Sequence, residues 1–253
     1  MIDFIFNLLL NTLKMFAITT LPFLAIGFFM NFCTNFLRNK FAISMGNKLF
    51  VYFTFIGVVI HELSHALMCI IFRHQITELV LFSPKKDGTL GYVMHKYNPN
   101  NLYQQMGCFF IGIAPLFGGI ISIYYLSIFL LPSDVSTKFT YEYSPFLIFD
   151  VLLSKSFYLD YKSYVWMYLM FSISLHITLS GADLKGAITG LVSLIVVLLL
   201  VNLYLIIDTN AQIAVVNYLH KVAIFFINQL LMIFTLLMIF FGINYLIRKI
   251  VIN

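Results

Sequence analysis

The sequence predicts an all-α polytopic membrane protein with about six transmembrane helices and a small β-hairpin. Hydrophobic residues make up 61% of the chain and charged residues only 10%, whereas soluble domains carry about 25% charged residues. Long apolar runs alternate with polar connections, as in proteins that cross the bilayer several times. We therefore expect a single integral membrane domain over residues 1–253. The net charge of +5 then concerns membrane orientation and lipid headgroups, and we expect no nucleic-acid partner.

The first apolar run, residues 2–32, predicts the first transmembrane helix. Asn7, Asn11 and Lys14 recur at i, i+4 and i+7, so this polar stripe is expected to face other helices or the membrane interface. Residues 33–48 follow as a polar connection that carries basic side chains. The cysteines show no C-x-x-C spacing, which predicts neither a disulfide framework nor a thiolate metal site.

The second run, residues 50–72, contains the sequence H-E-L-S-H at positions 61–65. Because positions i and i+4 share a helix face, His61 and His65 can present two ring nitrogens to one metal ion, typically Zn²⁺. Glu62 is placed to take a proton from a water that the metal activates. Ionisable groups within an apolar span are costly and usually functional. The motif therefore favours a metal site over a structural pair of histidines.

Residues 75–101 change character directly after the metal-binding helix. Residues 77–82 and 89–93 are β-prone, and a strong turn sequence separates them. This pattern predicts a β-hairpin lying against the membrane beside the helix, with an ordinary connecting loop as the alternative. A free strand edge there could pair with an extended substrate. The two histidines that flank the hairpin, His74 and His95, are expected at the surface.

The third run, residues 103–131, contains Pro115 and several glycines. Small residues let helices approach closely, and a proline leaves the carbonyl four residues before it without its helical donor. We expect a kinked helix whose loosened backbone lines the metal cavity. Residues 132–163 form a long connection rich in Phe and Tyr, which suits an interfacial belt or a lid lying on the bilayer.

The fourth run, residues 164–186, places His176, Ser180 and Asp183 at i, i+4 and i+7, on one face of a continuous helix. A histidine and an aspartate in an apolar segment need a reason, and a third metal ligand is the obvious one. The alternative is a packed histidine and an interfacial carboxylate at a helix end. His176 lies at a depth closer to the histidine pair, while an unwound or tilted helix would bring Asp183 level with that pair. His176, Ser180 and Pro115 are also candidates for contact with a substrate.

The last two apolar runs, residues 187–207 and 219–247, predict the fifth and sixth helices and carry almost no polar chemistry. Six crossings would place both termini on the same side of the membrane. Lys and Arg residues would then divide equally between the two sides, so their distribution leaves the orientation open.

These features resemble the site-2 protease family of intramembrane zinc metalloproteases over residues 50–190. The resemblance rests on H-E-L-S-H within a membrane span, the β-prone segment directly after it, and the Pro-containing run of small residues at 112–119. Asp183 is similar to the aspartate ligand of that family, although Leu184 follows it where the family usually has Gly.

The resemblance implies that His61, His65 and Asp183 hold Zn²⁺ and that Glu62 is the general base. It implies a catalytic core within the cytoplasmic membrane, nearer the cytosol, with both termini cytosolic. The expected function is hydrolysis of peptide bonds in or near transmembrane segments of membrane-protein substrates, in contact with membrane lipid. Two alternatives stay open, a zinc hydrolase that acts on lipid and a non-catalytic membrane binder or transporter.

Overall fold

A computed structural model of the chain describes residues 2–141, 144 and 146–252. These residues are mainly helical, with one antiparallel two-stranded sheet. The helices are α1 (Ile2–Met45), α2 (Asn47–Phe53), α3 (Phe55–Ile71), α4 (Leu102–Gly112), α5 (Ala114–Leu130), α6 (Ser133–Tyr141), α7 (Leu147–Leu153), α8 (Lys155–Leu159), α9 (Tyr161–Ser174), α10 (Gly181–Leu205) and α11 (Thr209–Ile252), and the strands are β1 (Gln75–Val80) and β2 (Tyr92–Lys96). The predicted class, all-α with a small hairpin, is confirmed.

Long apolar helices make this chain a membrane protein. α1, α10 and α11 are each long and apolar enough to cross a bilayer. The pair α2 and α3 is bent by 55°, and the pair α4 and α5 by 59°, so the described residues supply three spans, or up to five if each bent pair is one span. The kink expected in the third apolar run is therefore present, at Ile113, directly before the first turn of α5.

The boundary between the predicted fourth and fifth helices is wrong. α9 ends at Ser174, residues 175–180 are not helical, and α10 begins at Gly181 and continues through the predicted fifth run. The cause is a capping box, in which Ser180 accepts a hydrogen bond from the Asp183 backbone and the Asp183 carboxylate accepts one from the Ser180 backbone. His176, Ser180 and Asp183 consequently do not share one helix face.

The polar connection predicted at residues 33–48 is also wrong, because α1 continues without interruption to Met45. Basic and amide side chains are compatible with a helix whose other face stays apolar. The chain turns only at Gly46, whose φ of 85° lies in the left-handed region that glycine adopts without strain.

The first and last helices run parallel. Three aromatic pairs join α1 to α11, and both partners advance together along the chain: Phe23 with Phe226, Phe29 with Phe234 and Phe36 with Phe241, at 5.7, 5.2 and 5.7 Å between ring centroids. α10 runs the opposite way, since Asn202 near its end donates from Nδ2 to the Leu8 carbonyl near the start of α1, at 2.9 Å.

Parallel first and last helices cross a membrane in the same direction, which requires an odd number of crossings. The described residues supply at most five spans, so the expected six crossings with both termini on one side are not confirmed. The fourth and fifth predicted helices account for the difference, because α9 packs on α5 whereas α10 packs on α4, the other half of the same bent pair. α9 and α10 thus run in succession through the bundle, as two halves of one interrupted helix path, and do not form two separate antiparallel spans.

The hairpin predicted after the helix with the histidine motif is confirmed, with shifted strand bounds. In the register of the sheet, Gln75 pairs with Lys96 and Val80 pairs with Tyr92, with an irregularity between Ile76 and Glu78. The hairpin runs back along α3, because the Phe82 ring lies 5.9 Å from the ring of Phe55 at the start of that helix. It therefore lies beside α3 at the depth of the histidine motif.

Candidate metal centre

Three metal-ligating side chains from α3 and α10 meet in the middle of the bundle. Nε2 of His61 lies 3.2 Å from Nε2 of His65. The Asp183 carboxylate approaches both rings, with Oδ1 at 3.2 Å from Nε2 of His65 and Oδ2 at 3.7 Å from Nε2 of His61. One ligand atom from each residue lies within 4.8 Å of the other two. The structure thus brings together all three residues of the predicted ligand set.

Each imidazole of this group is oriented through its other nitrogen. Nδ1 of His61 lies 2.9 Å from the carbonyl oxygen of His176, and Nδ1 of His65 lies 2.7 Å from that of Ile111. A carbonyl oxygen only accepts hydrogen bonds, so both rings carry their proton on Nδ1 when neutral. The lone pairs of the two Nε2 atoms are therefore available at the centre, which is the arrangement usual for metal-ligating histidines.

Both accepting carbonyls are available because a helix is broken nearby. In an unbroken helix the Ile111 carbonyl would accept from the amide of residue 115, but Pro115 has no N–H. The chain is not helical between His176 and Ser180, so the His176 carbonyl also lacks its usual donor, and the Ser180 amide donates to the Asp183 carboxylate instead, at 2.7 Å. The two helix breaks thus supply one acceptor to each imidazole.

Asp183 is held from two directions. The Ser180 hydroxyl accepts from the Asp183 amide at 3.2 Å, and the Ser180 amide binds the carboxylate, so the side chain is fixed at the first turn of α10. On the other side, Gly112 at the end of α4 packs directly on the Asp183 carbonyl, in a space that a Cβ atom would occupy. The predicted small-residue run therefore lets α4 approach the start of α10.

The donor set fits a zinc ion. Two neutral imidazole nitrogens and one carboxylate oxygen are a common zinc ligand set, and a fourth position stays open to water in catalytic sites. Without a cation, the lone pairs of the two Nε2 atoms would face each other at 3.2 Å with no hydrogen between them. A bound cation removes this repulsion.

Glu62 lies beside the histidines and is covered by the hairpin. The residue is buried, with 7% of its surface exposed. A Cβ atom at Gly91 would lie 2.8 Å from Cγ of Glu62 and equally close to the carbonyl oxygens of Val80 and Leu81. Glycine at this position therefore allows the chain before β2 to pass directly over the glutamate.

A cavity of about 690 Å³ contains this centre. Its walls include His61, Glu62, His65 and Asp183, together with the segment from Gly88 to Val93. The N-terminal helix α1 contributes a further wall with Asn31, Asn35 and Arg38. The cavity can therefore present the centre, a strand edge and a cationic side chain to the same bound molecule.

The remaining predicted site residues have positioning contacts. The His176 ring is buried, with Nε2 at 3.1 Å from the Thr54 hydroxyl, so it is the His176 carbonyl that reaches the centre. Ser180 caps α10, and Pro115 occupies the first turn of α5. The structure thus joins Asp183, not His176, to the histidine pair.

Sequence reasoning missed two groups of residues. His74 and His95, expected at the surface, bind each other through their Nδ1 atoms at 3.0 Å; His74 is buried, and His95 lines the cavity. Asn31, Asn35 and Arg38 were assigned to the end of a helix and a connection, yet they line the cavity from α1. Their spacing of i, i+4 and i+7 was the signal that could have identified them.

Comparison with known proteins gives no relative: no protein-family model, no curated protein and no solved structure matches the chain. The function is therefore argued from the site itself.

Proposed function

We propose that this protein is an intramembrane zinc metalloprotease of the site-2 protease type, in the cytoplasmic membrane. The observation that carries the proposal is the meeting of His61, His65 and Asp183, with both imidazoles oriented by Nδ1 hydrogen bonds so that Nε2 faces the centre. Glu62 lies on the same helix, and apolar helices surround the group. This combination supports hydrolysis more than transport, because it supplies a metal site and a proton acceptor together.

Zinc, Glu62 and the hairpin segment have separate roles in the proposed reaction. Zinc, when bound, supplies Lewis-acid chemistry that polarises a carbonyl and makes water more acidic. Glu62 takes the proton of the attacking water and passes it to the leaving nitrogen, so that the peptide bond breaks to a carboxylate and an amine. The hairpin segment over Glu62 limits the access of bulk water to this exchange.

The substrate class follows from the shape of the site. A transmembrane helix hides its carbonyls in i→i−4 hydrogen bonds, so it must unwind before it can be cut. The segment from Gly88 to Val93 lines the cavity and enters β2 at Tyr92, where backbone groups on the outer edge of the hairpin can pair with an extended strand. Membrane-protein segments with weak helical turns, such as those that contain Gly or Pro, are therefore the expected substrates.

Zinc content and peptide cleavage together test the proposal. Purified wild-type protein should hold about one zinc per chain and cut a synthetic transmembrane peptide with a central Gly-Pro. Glu62→Gln should keep the zinc and lose cleavage, whereas Asp183→Ala should lose both. His176→Gln should retain zinc because only its backbone reaches the centre.

Zinc retention in Asp183→Ala with loss in His176→Gln would reassign the third ligand. Cleavage of a lipid instead of the peptide, dependent on Glu62, would favour a zinc lipid hydrolase. Folded wild-type protein that binds no zinc would contradict the proposal and favour a non-catalytic membrane binder or transporter.

A further inference from the structure

A cationic side chain lines the cavity without an acidic partner. Arg38 is half-buried on α1, and its guanidinium belongs to the same cavity wall as Asn31 and Asn35. Within the part of the chain that the structure describes, every ion pair involves other residues, and none brings a carboxylate to Arg38. Leaving a guanidinium unpaired near an apolar bundle is costly. The position of Arg38 in the cavity therefore indicates that it pairs with a bound ligand.

The orientation of Arg38 is built by its neighbours. Nη2 of Arg38 donates to Oδ1 of Asn35 at 2.6 Å, and Nδ2 of Asn35 donates to Oδ1 of Asn31 at 2.9 Å. The three residues are one helical turn apart, so the chain of hydrogen bonds runs along a single face of α1. A guanidinium has five N–H donors, and this contact uses one nitrogen. The fork of donors that suits a carboxylate is thus left for another molecule.

Neither of the two carboxylates that line the cavity pairs with Arg38. Asp183 binds His65 and the Ser180 amide, and its oxygens belong to the metal centre. Glu62 lies on α3, under Gly91 of the hairpin segment. An anion that pairs with Arg38 would therefore have to come from a bound molecule.

We propose that Arg38, held by Asn35 and Asn31, is a specificity subsite that binds an acidic side chain, Asp or Glu, of the peptide substrate. The inference rests on the proposed function, because it places the acidic residue on the same extended segment that reaches Glu62. One feature favours a peptide carboxylate over a lipid phosphate. The start of β2, at Tyr92 and Val93, lines the same cavity, and a strand edge suits a peptide backbone.

Paired peptides test the subsite. The probe is the Gly-Pro transmembrane peptide with one Glu moved stepwise along the segment around the cleavage site, each compared with its Gln twin. At one position, wild-type protein should prefer the Glu twin in kcat/KM by about tenfold or more, as a charge-assisted hydrogen bond of roughly 1.5–3 kcal/mol gives. Arg38→Gln should abolish that preference and keep the zinc content. Arg38→Glu should instead prefer a Lys at the same position.

Lys40→Gln is the matched control, since Lys40 lies two residues away on α1, is exposed, and places its ammonium over the Phe36 ring, 5.6 Å from its centroid. This variant should keep the wild-type preference. Equal cleavage of all Glu and Gln twins by wild-type protein, or a preference that survives in Arg38→Gln, would overturn the subsite while leaving the protease intact.

Binding measurements separate the subsite from the proposed reaction. Fluorescently labelled twins can be titrated onto zinc-loaded Glu62→Gln protein, with and without Arg38→Gln. Tighter binding of the Glu twin that depends on Arg38, in a protein whose wild type cuts no peptide, would support the subsite and contradict the protease. Phosphatidylglycerol vesicles that change the cleavage of the Gln twin through Arg38, relative to phosphatidylcholine, would assign the cation to a lipid headgroup and overturn the peptide subsite.

Discussion

Individual hydrogen bonds define the chemistry of the centre. The spacing of His61 and His65 predicts that two rings share a helix face, and the structure adds that each ring donates from Nδ1 to a carbonyl. Those acceptors come from distant parts of the chain, so no local pattern in the sequence could identify them. The same holds for Asp183, whose position depends on a cap at Ser180 that competes with the longer apolar periodicity. A choice between Asp183 and His176 needs the three-dimensional arrangement.

The close contact between Gly91 and Glu62 gives a testable prediction. In Gly91→Ala, the new Cβ would lie 2.8 Å from Cγ of Glu62, so either the glutamate or the hairpin segment must shift. We expect peptide cleavage to fall by about 10–100-fold, because small displacements of a catalytic group are costly, while the zinc content stays unchanged. Gly242→Ala is the control, since a Cβ atom there meets open space on α11, outside the cavity. Equal activity of both variants would show that Glu62 does not depend on this contact.

Two helix breaks, before Pro115 and at residues 175–180, position the residues of the site. The break before Pro115 could be predicted, because proline removes a donor and glycines surround it. The break at residues 175–180 could not, because the segment is as apolar as the helices that flank it and its inner residues, 175–179, are buried. The hairpin was recognised from its β-prone segments and turn, but its position along α3 depends on contacts with the start of that helix. Local patterns thus predicted the type of each element better than its boundaries.

Pro115→Ala tests the role of the first break. Alanine restores an N–H that competes with His65 for the Ile111 carbonyl, which lies 2.7 Å from Nδ1 of His65. We expect zinc affinity, measured by competition with a chelator, to fall by roughly 10-fold, the lower end for loss of an outer-shell partner. Pro22→Ala is the control, because Pro22 also lies inside a helix, α1, away from the centre. An unchanged affinity in Pro115→Ala would mean that the carbonyl does not depend on proline.

The pair of His74 and His95, at the open end of the hairpin, predicts a response to pH. Burial lowers the pKa of His74, and burial together with nearby His74 and His65 lowers the pKa of His95. Each therefore takes up its proton at a lower pH in the folded protein than in the unfolded chain, where a histidine titrates near pH 6.5. Their contribution to stability is therefore complete above about pH 6.5 and is lost as the pH falls towards the lower folded values.

The midpoint of thermal unfolding in detergent should accordingly be lower at pH 5.5 than at pH 7.5. His95→Gln should reduce this difference, whereas His220→Gln, at an exposed histidine of α11, should leave it intact. Hydrogen exchange of β1 and β2 should increase at pH 5.5 in the wild type. Identical pH dependence in all three proteins would rule out a contribution from the pair.

The arrangement of the whole bundle gives a prediction for the membrane orientation that charge alone left open. With α1 and α11 parallel and an odd number of crossings, basic residues gather at the end of the bundle where α1 ends. Among the basic residues of α1, α2 and α11, Arg38, Lys40, Lys48, Arg248 and Lys249 lie at or towards that end, while Lys14 and Lys221 lie towards the other. From the positive-inside rule we expect the richer end to be cytosolic. The sequence analysis gave equal numbers of Lys and Arg on the two sides of the membrane only because it divided the residues of α10 between two predicted helices.

We therefore predict a cytosolic C-terminus and an N-terminus on the opposite side. Single cysteines added at each terminus, on a background that lacks the native cysteines, would be labelled in intact cells with a membrane-impermeant reagent. The N-terminal cysteine should react and the C-terminal one should react only after the membrane is opened. Both cysteines reacting alike would restore an even number of crossings.

The wide separation of the ligands along the chain has a consequence for biosynthesis. The two histidines enter the membrane with an early helix, but their partner Asp183 and the carbonyl of His176 follow only after the whole α4–α9 region has been made. Until α10 is inserted, the nascent protein lacks part of its ligand set. If the proposed protease activity holds, the protein would thus remain inactive among its own potential substrates until its assembly is nearly finished.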